Sequence, residues 1–360
     1  MVGCLVIGRI KGSTEHWYTQ ARRRVARVAT DRGVKRLRDL TAATVEPRLT
    51  DQTDQNLSAG TRNGYRQACV TFITGASALG GSHNPLLAVA VADQRADTRR
   101  QRRALTEEEL ARLLDAAQGR PLADAMTGRR GKAKGRPLAN LSPETRDELL
   151  RTGRERALIC KTLVLSGLRK GELASITFGQ VDLDGRVLFL VLNARDQENR
   201  RGSEIPLRAD LEADIRSWLA DRLKRAQQAA RDAEDPIPAG LASDEPLFDV
   251  PDGLIRIFDR DLAFAGLARI EKRGGKEVVI KTDDRGHTID GYAPRHTFGT
   301  HLSKAGALLR TAQAAMRHSD PSLTANVYTD PKLLDVASAV ASLPDLPLGD
   351  VARPVALAAR

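Results

Sequence analysis

A chain of 360 residues exceeds what one hydrophobic core usually organises, so two domains are expected, each large enough to bury a core of its own. The 57 Lys and Arg set against 46 Asp and Glu leave a formal charge of +11, which favours a polyanionic partner through counterion release, although a well-charged surface alone gives the same count. Cys4, Cys69 and Cys160 lie far apart with no CxxC pair, the six histidines show no ligand spacing against them, and the run Cys4 to Ile7 is too short for a signal or a membrane span. Neither a disulfide framework, a metal site nor a membrane segment is indicated, and a reducing, cytoplasmic setting fits.

The first predicted element is a strongly basic helix from Thr14 to about Arg38, with Arg22, Arg23, Arg24, Arg27, Arg32, Lys35, Arg36 and Arg38 interleaved among Val25, Ala26 and Val28. One face of it suits phosphates; a solvated helix face has the same composition. Two further helices follow over Thr41 to Leu49 and Ser58 to Ala76, each opened by a hydroxyl N-cap, and Asn84-Pro85 begins another short one. These make a small helical bundle. Residues 93–103 carry five arginines and almost no large apolar residue, and read as an interdomain linker.

Beyond it, Thr106-Glu107-Glu108-Glu109 caps the next helix. Residues 119–140, rich in Gly, Pro, Arg and Lys without periodicity, read as an exposed insertion loop. A long helix from Pro143 to Ser166 has an apolar end that must be largely buried, and Gly167 is its stop. Short strands are expected around Val187 to Leu192 and Glu204 to Leu207, then helices at about Asp210 to Ala230 and Leu254 to Gly266, a hairpin, and a helical remainder.

Three strings carry chemistry. Ser166-Gly167-Leu168-Arg169-Lys170-Gly171-Glu172-Leu173 puts an arginine at the exit of a buried helix, where forked donors on a rigid base suit phosphate; read alone, a structural ion pair, for instance with Glu172, is the commoner explanation of such an arginine. In Tyr292-Ala293-Pro294-Arg295-His296-Thr297-Phe298-Gly299-Thr300-His301-Leu302 a helix starts with Pro294 at its first position. Arg295 then falls in the first turn, whose free N–H groups also favour an anion, and Phe298, Leu302 and Ala305 share the core face. Met316-Arg317-His318-Ser319 comes next, and Tyr328 follows ten residues after the histidine.

The order GLRxGEL, RHTFGTHL, then His-Ser and a tyrosine resembles the tyrosine recombinases of the phage-integrase family. The resemblance covers residues 104 to 340 as the catalytic domain and, more weakly, the N-terminal bundle as the core-binding domain. It implies a mainly α protein with small β-hairpins: a helical DNA-binding domain over 1–92, a linker at 93–103, an α+β catalytic domain over 104–345 and a tail over 346–360. It further implies that Arg169 and Arg295 clamp the scissile phosphate with Glu172 in support, that His318 donates a hydrogen bond to it, and that Tyr328 attacks phosphorus to form a 3′-phosphotyrosyl link. No metal, cofactor or small-molecule substrate is called for. The partners expected are double-stranded DNA, contacted among others by Arg99, Arg100, Arg102 and Arg103, and further copies of the chain in a homotetramer on two DNA sites. Localisation would be cytoplasmic, with the nucleoid. His296 and His301 are read as structural, and the apolar run Leu333, Leu334, Val336, Ala337, Val340 as a helix that docks either on a neighbour or on its own domain.

Two slots depart from the family pattern. Where a histidine usually stands three residues before the second arginine, this chain has Tyr292, whose unperturbed pKa of about 10 is poorly matched to proton transfer near neutrality. Where the hairpin lysine that serves as general acid stands, eight residues before the proline of an Ile-Pro-Leu strand, this chain has Glu198, and no lysine lies between Lys170 and Lys224. A carboxylate there repels phosphate and cannot readily protonate a leaving 5′-oxygen; losing a positioned acid slows such steps about 100- to 10,000-fold. The alternatives are therefore a working recombinase, a catalytically impaired DNA-binding derivative, and a DNA-relaxing topoisomerase using the same phosphotyrosine chemistry.

Overall fold

The fold was analysed in a computed structural model, which describes residues 15–77, 84–128, 136, 140–182, 188–197, 201–326, 328, 334 and 340. The chain separates into two compact units, Met1–Gln101 and Arg102–Arg360.

The first unit is a helical bundle of α1 (Glu15–Arg32), α2 (Ala42–Asp54) and α3 (Ala59–Ser77), closed by a short 3₁₀ turn at Pro85–Ala88. Tyr18, Val25 and Val28 recur at helical spacing on α1 and are buried, whereas Arg22, Arg23 and Arg27 are exposed. Val25 and Val28 join Val45, Cys69, Ile73 and Leu86 in one core. The basic helix is shorter than its composition suggests, because Gly33 takes a left-handed conformation (φ 64°) and ends it six residues before Arg38. In the bundle Arg48, itself buried, pairs with Asp31 at 2.8 Å.

In the second unit, α4 (Glu107–Met126) opens on the capping box of Thr106 and Glu109 and continues eight residues into the stretch expected to be a loop. Packing decides this: Arg120 is buried and bonds Asp261 at 2.6 Å, which draws the Gly119 to Met126 segment onto the domain as helix. The rest of that expected loop, apart from 127–128, 136 and 140, lies outside the described residues. Helix α5 spans Pro143–Ser166, with Ser142 as N-cap and Gly167 in the left-handed conformation as C-cap. It crosses α4 so closely at Gly153 that a Cβ there would run into the Gln118 carbonyl.

A three-stranded antiparallel sheet, β1 (Val181–Asp182), β2 (Phe189–Leu192) and β3 (Ser203–Pro206), pairs Leu190 with Ile205 across β2 and β3. These residues join Ile159, Leu173, Ile215 and Trp218 in the main core. The Ile215 and Trp218 side chains come from α7 (Ala209–Asp232), which follows the short α6 (Lys170–Ser175) and the sheet. Helix α8 (Leu254–Phe264) and the hairpin β4 (Arg269–Arg273) and β5 (Lys276–Ile280) lead into α9 (Ala293–Lys304), α10 (Leu309–Met316) and α11 (Pro321–Asn326).

The face of α9 is not the one its apolar pattern suggests. Phe298 and Leu302 are only partly buried and Ala305 is exposed, while Arg295, His296, Thr297, Gly299 and Thr300 face the interior. The helix turns its polar, small-residue side inward because that side holds the site. The expected docking helix beyond Tyr328 lies outside the described residues except at Leu334 and Val340, and no described helix is long and apolar enough to cross a membrane.

Candidate active site

The site begins where α5 ends. Gly167 adopts φ 62°, which glycine reaches without penalty, and a side chain there would collide with the Phe298 ring. The Gly167 carbonyl accepts from Arg295 Nη1 and, at 3.0 Å, from Arg317 Nη2. Arg169 then caps α6: its backbone N–H donates to Glu172 Oε2 at 2.9 Å and its Nη1 to Glu172 Oε1 at 2.8 Å. Glu172 is buried and also meets Arg317 Nη2 at 3.4 Å. One carboxylate is thus shared by two guanidiniums.

Arg295 lies within the first turn of α9, as expected, although the helix begins at Ala293, one residue before the expected Pro294. Its guanidinium is not spent on the helix start. It is 2% exposed and donates from Nη1 to Gly167 and from Nη2 to the Met316 carbonyl at the end of α10. Burial, followed by the like charges of Arg169 and Arg317, pushes its pKa down to about 10. A group whose charge is disfavoured by desolvation and by neighbouring cations is one that an arriving anion stabilises.

His318 sits just past α10, with its backbone N–H on the Gln313 carbonyl at 3.1 Å. Its Nδ1 is 2.9 Å from Thr324 Oγ1, and its Nε2 is buried with no hydrogen-bond partner among the described residues. Burial first, then Arg295, Arg169 and Arg317, push its pKa down to about 4, so the ring is neutral near pH 7. A Thr324 hydroxyl donating to Nδ1 leaves the ring proton on Nε2, the arrangement needed to donate to an oxyanion.

Tyr328 closes the cluster. Its ring centroid is 4.6 Å from that of His318 and 6.4 Å from that of His296, and Arg295 Cζ is 5.5 Å from the Tyr328 centroid. Its backbone is held by the Leu323 carbonyl at 3.1 Å and presses on Gly299, where a Cβ would stand 2.5 Å from the Tyr328 oxygen. Arg169, Glu172, Gln197, Arg317, His318 and Ser319 line an adjoining cavity of about 210 Å³.

The structure therefore brings Arg169, Glu172, Arg295, His318 and Tyr328 into one cluster. It adds two residues that the sequence reading did not assign, Arg317 and Gln197. Arg317 carried a signal: an arginine directly after a helix, at the position where glycine usually stops one, takes up backbone strain that calls for a compensating contact. Gln197 carried none, since its burial depends on the hairpin's fold.

The remaining predicted residues are placed differently. Glu198 lies outside the described residues. Tyr292 is the N-cap of α9, 50% exposed, with the Arg102 guanidinium 5.2 Å from its ring centroid. Arg102 Nε bonds both carboxylate oxygens of Asp290 at 3.0 and 2.8 Å. Arg103 spends both Nη groups on Glu109, and Arg99 donates to Asp97, whereas Arg100 is exposed. His301 Nε2 is 3.0 Å from the Leu105 carbonyl, a structural contact, while His296 is buried close to Tyr328.

The phage integrase family model matches residues 144–333, the stretch that holds every member of this cluster. The chain belongs to the phage integrase family. Among curated relatives, tyrosine recombinase XerD of Agrobacterium fabrum (strain C58) is 27% identical over 176 residues, 48% of this chain and 47% of that protein. The chain thus spans about half the length of the curated relative it matches. Among solved structures, a lambda integrase dimer bound to a COC′ core site aligns with a TM-score of 0.55 at 18% identity, covering 90% of this chain and 92% of that one. A lambda integrase tetramer bound to a Holliday junction aligns at 0.52 and 18% identity, over 90% and 74%. These likenesses establish that the integrase fold is shared.

Proposed function

We propose that this phage-integrase-family chain is a tyrosine site-specific recombinase that cleaves and rejoins duplex DNA through a covalent bond between Tyr328 and a 3′-phosphate. The observation that carries the reading is the Tyr328 ring lodged against both His318 and Arg295, with Arg169 beside them in the same charged cluster. Arg169 and Arg295 bind the non-bridging oxygens of the scissile phosphate, and His318 Nε2 donates to one of them. Tyr328 Oη attacks phosphorus, forming the O–P bond as the bond to the 5′-oxygen breaks; the phenol proton leaves to a base and the 5′-oxygen takes a proton. Charge growing on the pentacoordinate phosphorus is met by guanidiniums already in place, which is where such sites gain most of their rate.

In this reading residues 1–92 are the core-binding domain, the basic stretch 93–103 joins it to a catalytic domain over 104–345, and 346–360 is a tail. Arg99, Arg100 and Arg102 are the exposed candidates for DNA backbone contacts, and Arg103 anchors the linker to Glu109. The substrate is double-stranded DNA, and the working assembly is a homotetramer on two sites, a reading supported by the lambda integrase tetramer bound to a Holliday junction. A DNA substrate places the protein in the cytoplasm, with the nucleoid.

A second reading, an impaired catalyst that keeps DNA binding, is favoured by Tyr292, which faces solvent beneath Arg102. The test is SDS-resistant protein–DNA adducts on nicked duplexes drawn from DNA flanking the gene. Adducts with the native protein and none with Tyr328→Phe establish the nucleophile. Adducts only with Glu198→Lys and Tyr292→His together establish the impaired form. None in any variant, with binding to the pool demonstrated, rejects the mechanism. Relaxation of a supercoiled plasmid lacking such sites would indicate a topoisomerase instead.

A further inference from the structure

Two helices end beside the site, and the carbonyls at their C-termini accept from side chains: Ser166 and the C-cap Gly167 at α5, Ala315 and Met316 at α10. Helix C-termini carry partial negative charge and attract cations. Arg295 spans the two ends by bonding Gly167 and Met316. Arg317 does the same from the other direction: Nη1 donates to Ser166 at 3.2 Å and Ala315 at 3.1 Å, and Nη2 to Gly167 at 3.0 Å. To reach this position Arg317 adopts φ 57°, one of three described non-glycine residues with positive φ. An L-residue with a long side chain is disfavoured there, so the side-chain contacts offset a backbone cost that glycine would not have.

Those contacts connect Arg317 to both arms of the clamp. It shares the Gly167 carbonyl with Arg295 and Glu172 with Arg169. Its Nε, like that of Arg295, is buried without a hydrogen-bond partner among the described residues, and its side chain lines the cavity with Arg169 and His318. Three guanidiniums thus gather around one buried carboxylate, an arrangement with positive charge to spare.

We propose that Arg317 is a positioning residue of the phosphate site, setting the spacing of Arg169 and Arg295 through Glu172 and the Gly167 carbonyl and supplying a third cation to the pocket. The proposal rests on the recombinase reading for its chemistry, but not for its electrostatics. Only a planar fork spans two helix ends and a carboxylate together; a lysine keeps the charge and loses the brace. The two contributions are therefore separable by substitution.

The experiment uses the full-length chain with 13C-labelled histidine, comparing native, Arg317→Gly and Arg317→Lys, with Thr324, Tyr328, Arg169 and Arg295 intact as the other groups around His318. Glycine accepts φ 57° freely, so Arg317→Gly tests the side chain and not the turn. In Arg317→Gly the His318 titration midpoint rises by about 1 unit, and inorganic phosphate perturbs the His318 signal with an affinity at least about 5-fold weaker. In Arg317→Lys the midpoint stays near native, while single-turnover adduct formation with Tyr328 falls by about 10-fold or more at unchanged DNA affinity. A native midpoint and native phosphate response in Arg317→Gly overturn the cation role, and native adduct rates in Arg317→Lys overturn the bracing role. Should Arg317→Gly fail to fold, the lysine variant still decides the brace. Should the native protein form no adduct, the recombinase reading fails, and the His318 and phosphate measurements still judge Arg317.

Discussion

His318 shows how far a residue's surroundings can move its chemistry. Its folded pKa of about 4 lies below the ordinary value of 6.5, so between those pH values the unfolded chain binds the proton that the native ring refuses. The stabilisation tied to the neutral ring is complete above pH 6.5 and is lost as pH falls toward 4. We expect denaturation midpoints to decline over that window, and the decline to be shallower in His318→Asn; identical profiles would mean that another group titrates. Glu172 makes the opposite case, a buried anion whose removal leaves Arg317 without its carboxylate. Glu172→Gln should lower stability by about 3 kcal/mol in urea denaturation, the scale found when one partner of a buried pair is deleted. Arg169 and Glu172 were readable from GLRKGEL as a candidate phosphate ligand beside an ion-pair partner, and the structure shows the ion pair directly. The depressed pKa of His318 was not readable, because burial and the charges of Arg295 and Arg169 reach it from distant parts of the chain; the place of Arg317 after a helix hinted at a compensating contact without showing that Glu172, 145 residues away, supplies part of it.

Elements position these residues through glycines at close approaches. Gly299 leaves room on α9 for the Tyr328 backbone, and Gly167 turns the chain while clearing the Phe298 ring. Gly299→Ala should therefore displace Tyr328, the proposed nucleophile, cutting adduct formation by about 100-fold while DNA binding, read by anisotropy, stays within a few-fold of native. Gly167→Ala combines left-handed strain with a clash and should lower stability by about 2 kcal/mol or more in the same urea assay. Element boundaries were legible where local chemistry sets them: Ser142 and Gly167 bracket α5 at the residues expected. They were not legible in α4, where the Arg120 pair with Asp261, 141 residues distant, keeps a Gly- and Pro-containing stretch helical. On α9 the apolar pattern pointed to Phe298, Leu302 and Ala305, but the interior is polar because it holds the site, so a rule built on hydrophobic faces selects the wrong side.

For the whole molecule, the charge of +11 and the exposed arginines of α1 make salt the natural probe. If six or more phosphates are contacted, DNA affinity should fall about 1,000-fold between 50 and 200 mM salt, along a straight line of log affinity against log salt; a flat line would remove DNA as the polyanion. The thiols give an independent check on the two cores. Cys69 and Cys160 are buried, one in each unit, and burial pushes their pKa values up to about 11 and 12. Both should resist a thiol reagent in the native protein and react on unfolding, and early reaction of one alone would mark the unit that opens first.

The order of the motifs, the candidate nucleophile Tyr328, the helix caps and the two departures from the family pattern were determined by the sequence itself, because each is carried by neighbouring residues or by residue type. The tertiary structure decided which charges face one another. It brought two helix ends together, tied them with Arg295 and Arg317, left Tyr292 half in solvent beneath Arg102, and lowered the pKa of His318. Desolvation and charge coupling are properties of distance in space, and a linear chain specifies those distances only once it has packed.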